Sequence, residues 1–156
     1  MFTHFHIDWL MANRTKLVKI IDQYSDDFLF EVPQGFNNNI IWHMGHIVVS
    51  QQRVLYMRSG LPMHISTVYH DFFKNGTSPS TWSGKPDTAE IKDSLLNTVE
   101  RLKEDLKKDI FHKYEPMVMP VGYTVNNHLE GISYTNLHEA EHTGNLLYLS
   151  KFMNTK

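Results

Sequence analysis

Leu137-His138-Glu139-Ala140-Glu141-His142-Thr143-Gly144, near the end of the chain, is the stretch on which the architecture turns. As a helix it stacks His138 and His142 at i and i+4 on one face. Two neutral imidazoles at that spacing can converge on one divalent cation, at the roughly 2.0–2.1 Å typical of zinc–nitrogen bonds. A pair is not a site. A third ligand is needed, and its origin fixes what else the chain must build.

Read literally, His138-Glu139-Ala140-Glu141-His142 is also H-E-x-x-H, the string associated with zinc peptidases. Those enzymes take a further Glu or His from downstream. Residues 143–156 contain no Asp, Glu or His. Glu141 sets a charge between the histidines, and no sheet is evident to hold an extended peptide. The peptidase reading is rejected, and the third ligand must come from upstream.

Upstream, apolar periodicity outlines three more helices. The first runs from about His4 to Tyr24, with Phe5, Trp9, Ala12, Leu17, Ile20, Ile21 and Tyr24 as its apolar stripe; Arg14, Lys16, Lys19 and Asp22 are expected off it. His4 and His6 fall in its first turn and are expected at the surface. Residues 25–39 connect, broken by Pro33 and Gly35 and ending in an Asn37-Asn38-Asn39 run suited to a cap. The second helix, about Ile40 to Ser59, is apolar on nearly every side, which marks a buried helix, and Gly60 and Pro62 close it. It carries His43 and His46, about 60° apart around the axis, so either can reach a site between helices.

Residues 61–87 form a long connection whose aromatic segments, Val68-Tyr69-His70-Asp71-Phe72-Phe73 and Trp82, predict packing over the bundle; His64 and His70 lie in it with no ligand spacing. Asp87 and Glu90 mark the start of a third helix, about Thr88 to Lys108, with Ile91, Leu95, Val99, Leu102 and Leu106 inward. A connection with Pro116, Pro120 and Gly122 leads to the motif helix, about Thr124 to Met153. Leu129, Ile132, Leu137, Leu146 and Leu149 are its expected core residues. The fold class is therefore all-α: a four-helix bundle, one domain over residues 1–156, with a long crossover between helices 2 and 3.

Composition narrows the chemistry. With 10 His and no Cys in 156 residues, a cation must be held by nitrogen and oxygen, and disulfides and a Cys nucleophile are excluded. A net charge of -2 carries no nucleic-acid footprint. No segment is long and apolar enough to span a bilayer, and the N-terminal residues lack a signal-peptide pattern, so the expected location is cytoplasmic, away from membranes.

Trp42-His43-Met44-Gly45-His46-Ile47 with His138-Glu139-Ala140-Glu141-His142-Thr143-Gly144, and Phe72-Phe73-Lys74-Asn75-Gly76-Thr77-Ser78-Pro79 between them, resembles the DinB/YfiT-like superfamily of metal-dependent enzymes in motif order and helix order over essentially the whole chain. The resemblance implies one divalent metal held by three histidines: His46 from the second helix, with His138 and His142 from the fourth. The helical wheel leans toward His43, which stays the alternative to His46. Zinc or nickel, with iron also compatible, suits such a donor set. Three imidazoles leave open positions, as catalytic rather than structural sites do.

Relatives include transferases that activate a low-molecular-weight thiol, so the expectation is a thiol-dependent S-transferase or a metal-activated hydrolase acting on a small molecule. The alternative is a non-catalytic metal-binding or dimerising stress-response bundle. A homodimer is expected by analogy with relatives. No residue is marked as catalytic; Glu139 and Glu141 are the candidates, each also readable as a plain solvent-exposed carboxylate.

Overall fold

Every α-helix after the first begins at a side chain that accepts a hydrogen bond from its first turn: Ser25, Asn39, Ser66, Asp87 and Asn127. The computed structural model describes residues 2–119 and 121–154; Pro120, one of the expected breakers, lies outside them with Met1, Thr155 and Lys156. The helices are α1 (Phe2–Gln23), α2 (Asp26–Phe30), α3 (Ile40–Leu55), α4 (Thr67–Phe73), α5 (Thr88–Lys107) and α6 (His128–Met153). Asn39 caps α3 by accepting from the Trp42 amide at 2.8 Å, Asp87 caps α5 from Ala89 at 2.9 Å, and Asn127 caps α6 from Glu130 at 2.9 Å. These acceptors satisfy amides that have no partner within the helix. At the far end of α3, a short 3-10 turn at Met57–Ser59 stops at Gly60, whose φ of 68° suits glycine.

α1, α3, α5 and α6 form the bundle. Neighbours around it run α1, α5, α3, α6 and back to α1. Asn13 meets Thr143 and Asn154 meets Tyr24, so α1 and α6 are parallel. Arg14 reaches Thr98 and Lys92 reaches Asp22, so α5 is antiparallel to α1. His43 meets His142 while Gly131 lies against Val54 and Leu55, so α3 is antiparallel to α6. Tyr56 donates to Asp105 at 3.1 Å, and α3 and α5 run the same way. Two adjacent parallel helices need a connection that returns along the bundle. That is the physical reason for the length of residues 61–87.

The crossover is packed rather than loose. Tyr69 and Phe73 of α4 are buried, and Trp82 packs behind them, its indole donating to the Phe72 carbonyl at 2.8 Å. The core is two apolar clusters. One gathers Leu17, Ile20, Ile21, Ile40, Ile41, Met44, Ile47, Val48, Ile91, Leu95, Leu146 and Leu149; the other gathers Ile7, Leu10, Val54, Leu55, Val99, Leu102 and Ile132. Between them in sequence on three of the helices lie the buried polar residues Arg14, Thr98, Thr135, Glu139 and Thr143.

Several expectations are corrected. Phe5 and Trp9 are 64% and 57% exposed and stack on each other, and Ala12 is exposed too; the buried stripe of α1 is Ile7, Leu10, Arg14, Leu17 and Ile21. Arg14 is thus in the core, not off it. On α6, Leu129 and Leu137 are exposed, and the inward line is Ile132, Thr135, Glu139, Thr143 and Leu146. The last helix starts at His128, not Thr124: β-branched Thr124 and Val125 pair antiparallel with Met117 and Val118 as β2 (Thr124–Val125) against β1 (Met117–Val118). The hairpin turns through Gly122 at φ 82°.

Candidate metal centre

The facing sides of α3 and α6 bring three histidines together. One ring nitrogen from each of His46, His138 and His142 lies within 4.8 Å of the other two, so the group could hold a metal ion. His138 and His142 sit on the α6 face next to the inward line, as the i, i+4 spacing requires. The ring centroids of His46 lie 5.2 Å from His138 and 4.7 Å from His142.

His46 is the most constrained of the three. Its Nδ1 lies 2.8 Å from the Phe73 carbonyl oxygen. A carbonyl only accepts, so Nδ1 carries the proton and Nε2 the lone pair. Hydrogen bonds of this kind fix tautomer and ring orientation in metal-ligating histidines. The Trp42 indole stacks on the same imidazole at 4.5 Å and 11°, and Trp42 Nε1 donates to Thr77 Oγ1 at 3.0 Å. The crossover therefore supplies both the acceptor for His46 and the anchor for the ring that clamps it. Gly45 makes this possible: a Cβ there would penetrate the Phe73 ring.

His43, the alternative to His46, lies outside the three-nitrogen group among the described residues. Its Nδ1 is 2.8 Å from Nδ1 of His142, so one of the two donates to the other. His138 Nδ1 is buried with no hydrogen-bond partner among the described residues. A buried polar atom left so is costly, and a cation beside it would satisfy it. Burial pushes all four imidazoles below the ordinary histidine value, His43 and His138 to about 4 and His142 to about 2, with His46 lowered as well. Repulsion from neighbouring imidazoles adds to the fall at His43, His138 and His142. Neutral imidazoles are the form that binds cations. The donors present fit a divalent metal.

Glu139, between the two histidines in sequence, points elsewhere. It is 1% exposed, not the plain surface carboxylate that was one reading of it, and takes Arg14 Nε at 3.0 Å and Arg14 Nη2 at 2.5 Å. Arg14 also donates to Thr98 Oγ1 at 2.7 Å and the Leu95 carbonyl at 3.2 Å. Glu141 is exposed and lines the cleft. His64 is held by Asp105 at 3.0 Å and His70 lies by Asp71, both away from the group.

The histidines stand in a cleft of about 680 Å³. α3 contributes Trp42, His46 and Arg53, α6 contributes Tyr134, Leu137 and Glu141, the crossover Asn75, and the hairpin Met117–Met119, Val121 and Tyr123. The hairpin wall and Arg53 went unnoticed in the sequence. Arg53 had a signal, seven residues after His46 on one helix; the two-residue strands had none.

No curated protein matches the sequence. A sequence model of the DinB superfamily matches residues 10–146, which include α3 and α5 whole, most of α1 and α6, and every histidine of the cluster. The chain belongs to the DinB superfamily.

Proposed function

We propose that the protein is a metal-dependent enzyme in which His46, His138 and His142 bind one divalent cation, zinc or nickel foremost and iron as a further candidate, and that it transfers or hydrolyses groups on a small molecule, a low-molecular-weight thiol being the first co-substrate to try. The observation that carries this is His46: a tautomer fixed by the Phe73 carbonyl, within reach of two more neutral imidazoles, at the side of an open cleft. A bound cation supplies Lewis acidity, easing loss of a proton from a coordinated water or thiol.

The chain's own residues do the rest. Phe73 and Trp42 orient His46. For His142 to offer Nε2 to a cation its Nδ1 must carry the proton, and His43 Nδ1, 2.8 Å away, is the acceptor placed for it. Glu141, the one carboxylate among the described residues lining the cleft, is the candidate to take up a released proton, whereas Glu139 is committed to Arg14 and braces α6. The hairpin side chains Met117, Val118 and Val121 give a substrate an apolar surface to lie on.

The test is turnover by the zinc- and nickel-loaded protein in thiol-conjugation and ester-hydrolysis panels. Metal-dependent activity, abolished by His138→Ala and lowered about a hundredfold by Glu141→Gln, supports the proposal; general-base groups contribute roughly 10²–10⁴-fold. A fully metal-loaded protein inert in both panels would instead favour the non-catalytic metal-binding bundle.

A further inference from the structure

One charge in the cleft is accounted for neither by the fold nor by the histidines. Arg53 follows His46 by seven residues on α3, so the two share a face, two turns or about 10 Å apart along the axis. It is half-buried, lines the cleft, and makes no hydrogen bond or ion pair among the described residues. Its charge reaches His46 and helps keep that imidazole neutral.

The other charges lining the cleft leave Arg53 uncompensated. Arg58 is matched to Glu115 at 3.1 Å. Glu141, from α6, is the one carboxylate among the described lining residues, and no ion pair joins it to Arg53. A guanidinium offers five donors in a planar fork that matches an oxyanion two bonds at a time. The lining of the same cleft also carries bare apolar side chains: Val118, Val121 and Leu137 are 72%, 86% and 61% exposed. Bare apolar surface grouped beside an unpaired cation describes a ligand with both characters.

We propose that the cleft selects a small amphipathic anion, its oxyanion group gripped by Arg53 and its apolar body lying along the hairpin wall beside the histidines. This rests on the metal-site reading above and gives its substrate a chemical class. Arg53 is then the specificity-determining residue: it holds the far end of the ligand about two helical turns from His46, which sets the ligand's length as well as its charge.

The probes are 4-phenylbutyrate and its neutral counterpart 4-phenylbutanamide, titrated into zinc-loaded protein by calorimetry and by amide chemical shifts. The carboxylate is expected to bind about tenfold tighter than the amide, the scale of hydrogen bonds to a charged group. Arg53→Gln should erase that preference, and Arg53→Lys should keep part of it, having the charge without the fork. The preference should persist in zinc-free His138→Ala, which separates Arg53 from direct attraction to the metal. Equal binding of the two probes, an Arg53→Gln protein with the preference intact, or no binding of the carboxylate at millimolar concentration overturns the inference. Elemental analysis of the same samples keeps the claims apart. A parent that takes up no zinc contradicts the metal site. One that takes up zinc but shows no Arg53-dependent preference contradicts this inference alone.

Discussion

At His46 a single hydrogen bond to the Phe73 carbonyl decides which nitrogen can serve a cation. Comparable restraint holds the back of α6, where Arg14 and Glu139 are 0% and 1% exposed and complete each other's bonding with help from Thr98. Removing one partner leaves the other charged and buried, a loss of about 3–5 kcal/mol. Urea denaturation of Arg14→Met should show a loss of that order. The double variant Arg14→Met, Glu139→Leu should recover most of it, because both charges are gone. A single variant as stable as the parent would contradict the brace. This pair was partly legible in the sequence: 10, 14, 17 and 21 repeat as a buried stripe with Leu10, Leu17 and Ile21, and an arginine on that line must have a partner. Charge alone had suggested the surface. Glu139 was harder to read, because H-E-x-x-H draws attention to a catalytic role for a residue that faces the other way.

At the scale of elements, the site depends on how closely α4 lies on α3. Gly45 permits the contact, and Phe73 brings its ring and its carbonyl together to that point. Gly45→Ala should push α4 away, at roughly 1–3 kcal/mol of overpacking. Displacing the acceptor for His46 should also weaken metal affinity by about 10–100-fold, as losses around metal-bound histidines do. Thermal unfolding and competition with a chromophoric chelator measure the two effects. Weakened stability with unchanged affinity would show that Phe73 does not orient His46. The four long helices were legible because burial on one side imposes a 3.6-residue period over many turns. α2, α4 and the hairpin were not, since five- and seven-residue helices and two-residue strands are too short to show a period. Leu129 and Leu137 misled for a related reason: an apolar side chain can line a rim or stay exposed as readily as fill a core.

Across the whole molecule, four lowered imidazoles tie stability to pH. Free in an unfolded chain they titrate near 6.5, whereas in the folded, metal-free protein His43 and His138 titrate near 4. Between those values the unfolded chain binds more protons, so stability falls as pH drops through the window and is fully present above it. The thermal midpoint of chelator-treated protein should therefore decline from about pH 7 toward pH 4. The decline should be shallower in His43→Gln. A flat profile would contradict neutral, buried histidines. No described helix is long and apolar enough to cross a membrane.

The central claim is that α3 and α6 build one cation site from His46, His138 and His142. Elemental analysis of tag-free protein, incubated with zinc or nickel and desalted, tests it beside His43→Ala, His46→Ala, His138→Ala and His142→Ala. The account predicts about one metal per chain in the parent, loss of it in the last three variants, and retention with weaker affinity in His43→Ala. A parent that binds no metal, or a His46→Ala protein that keeps its metal while His43→Ala loses it, would contradict it.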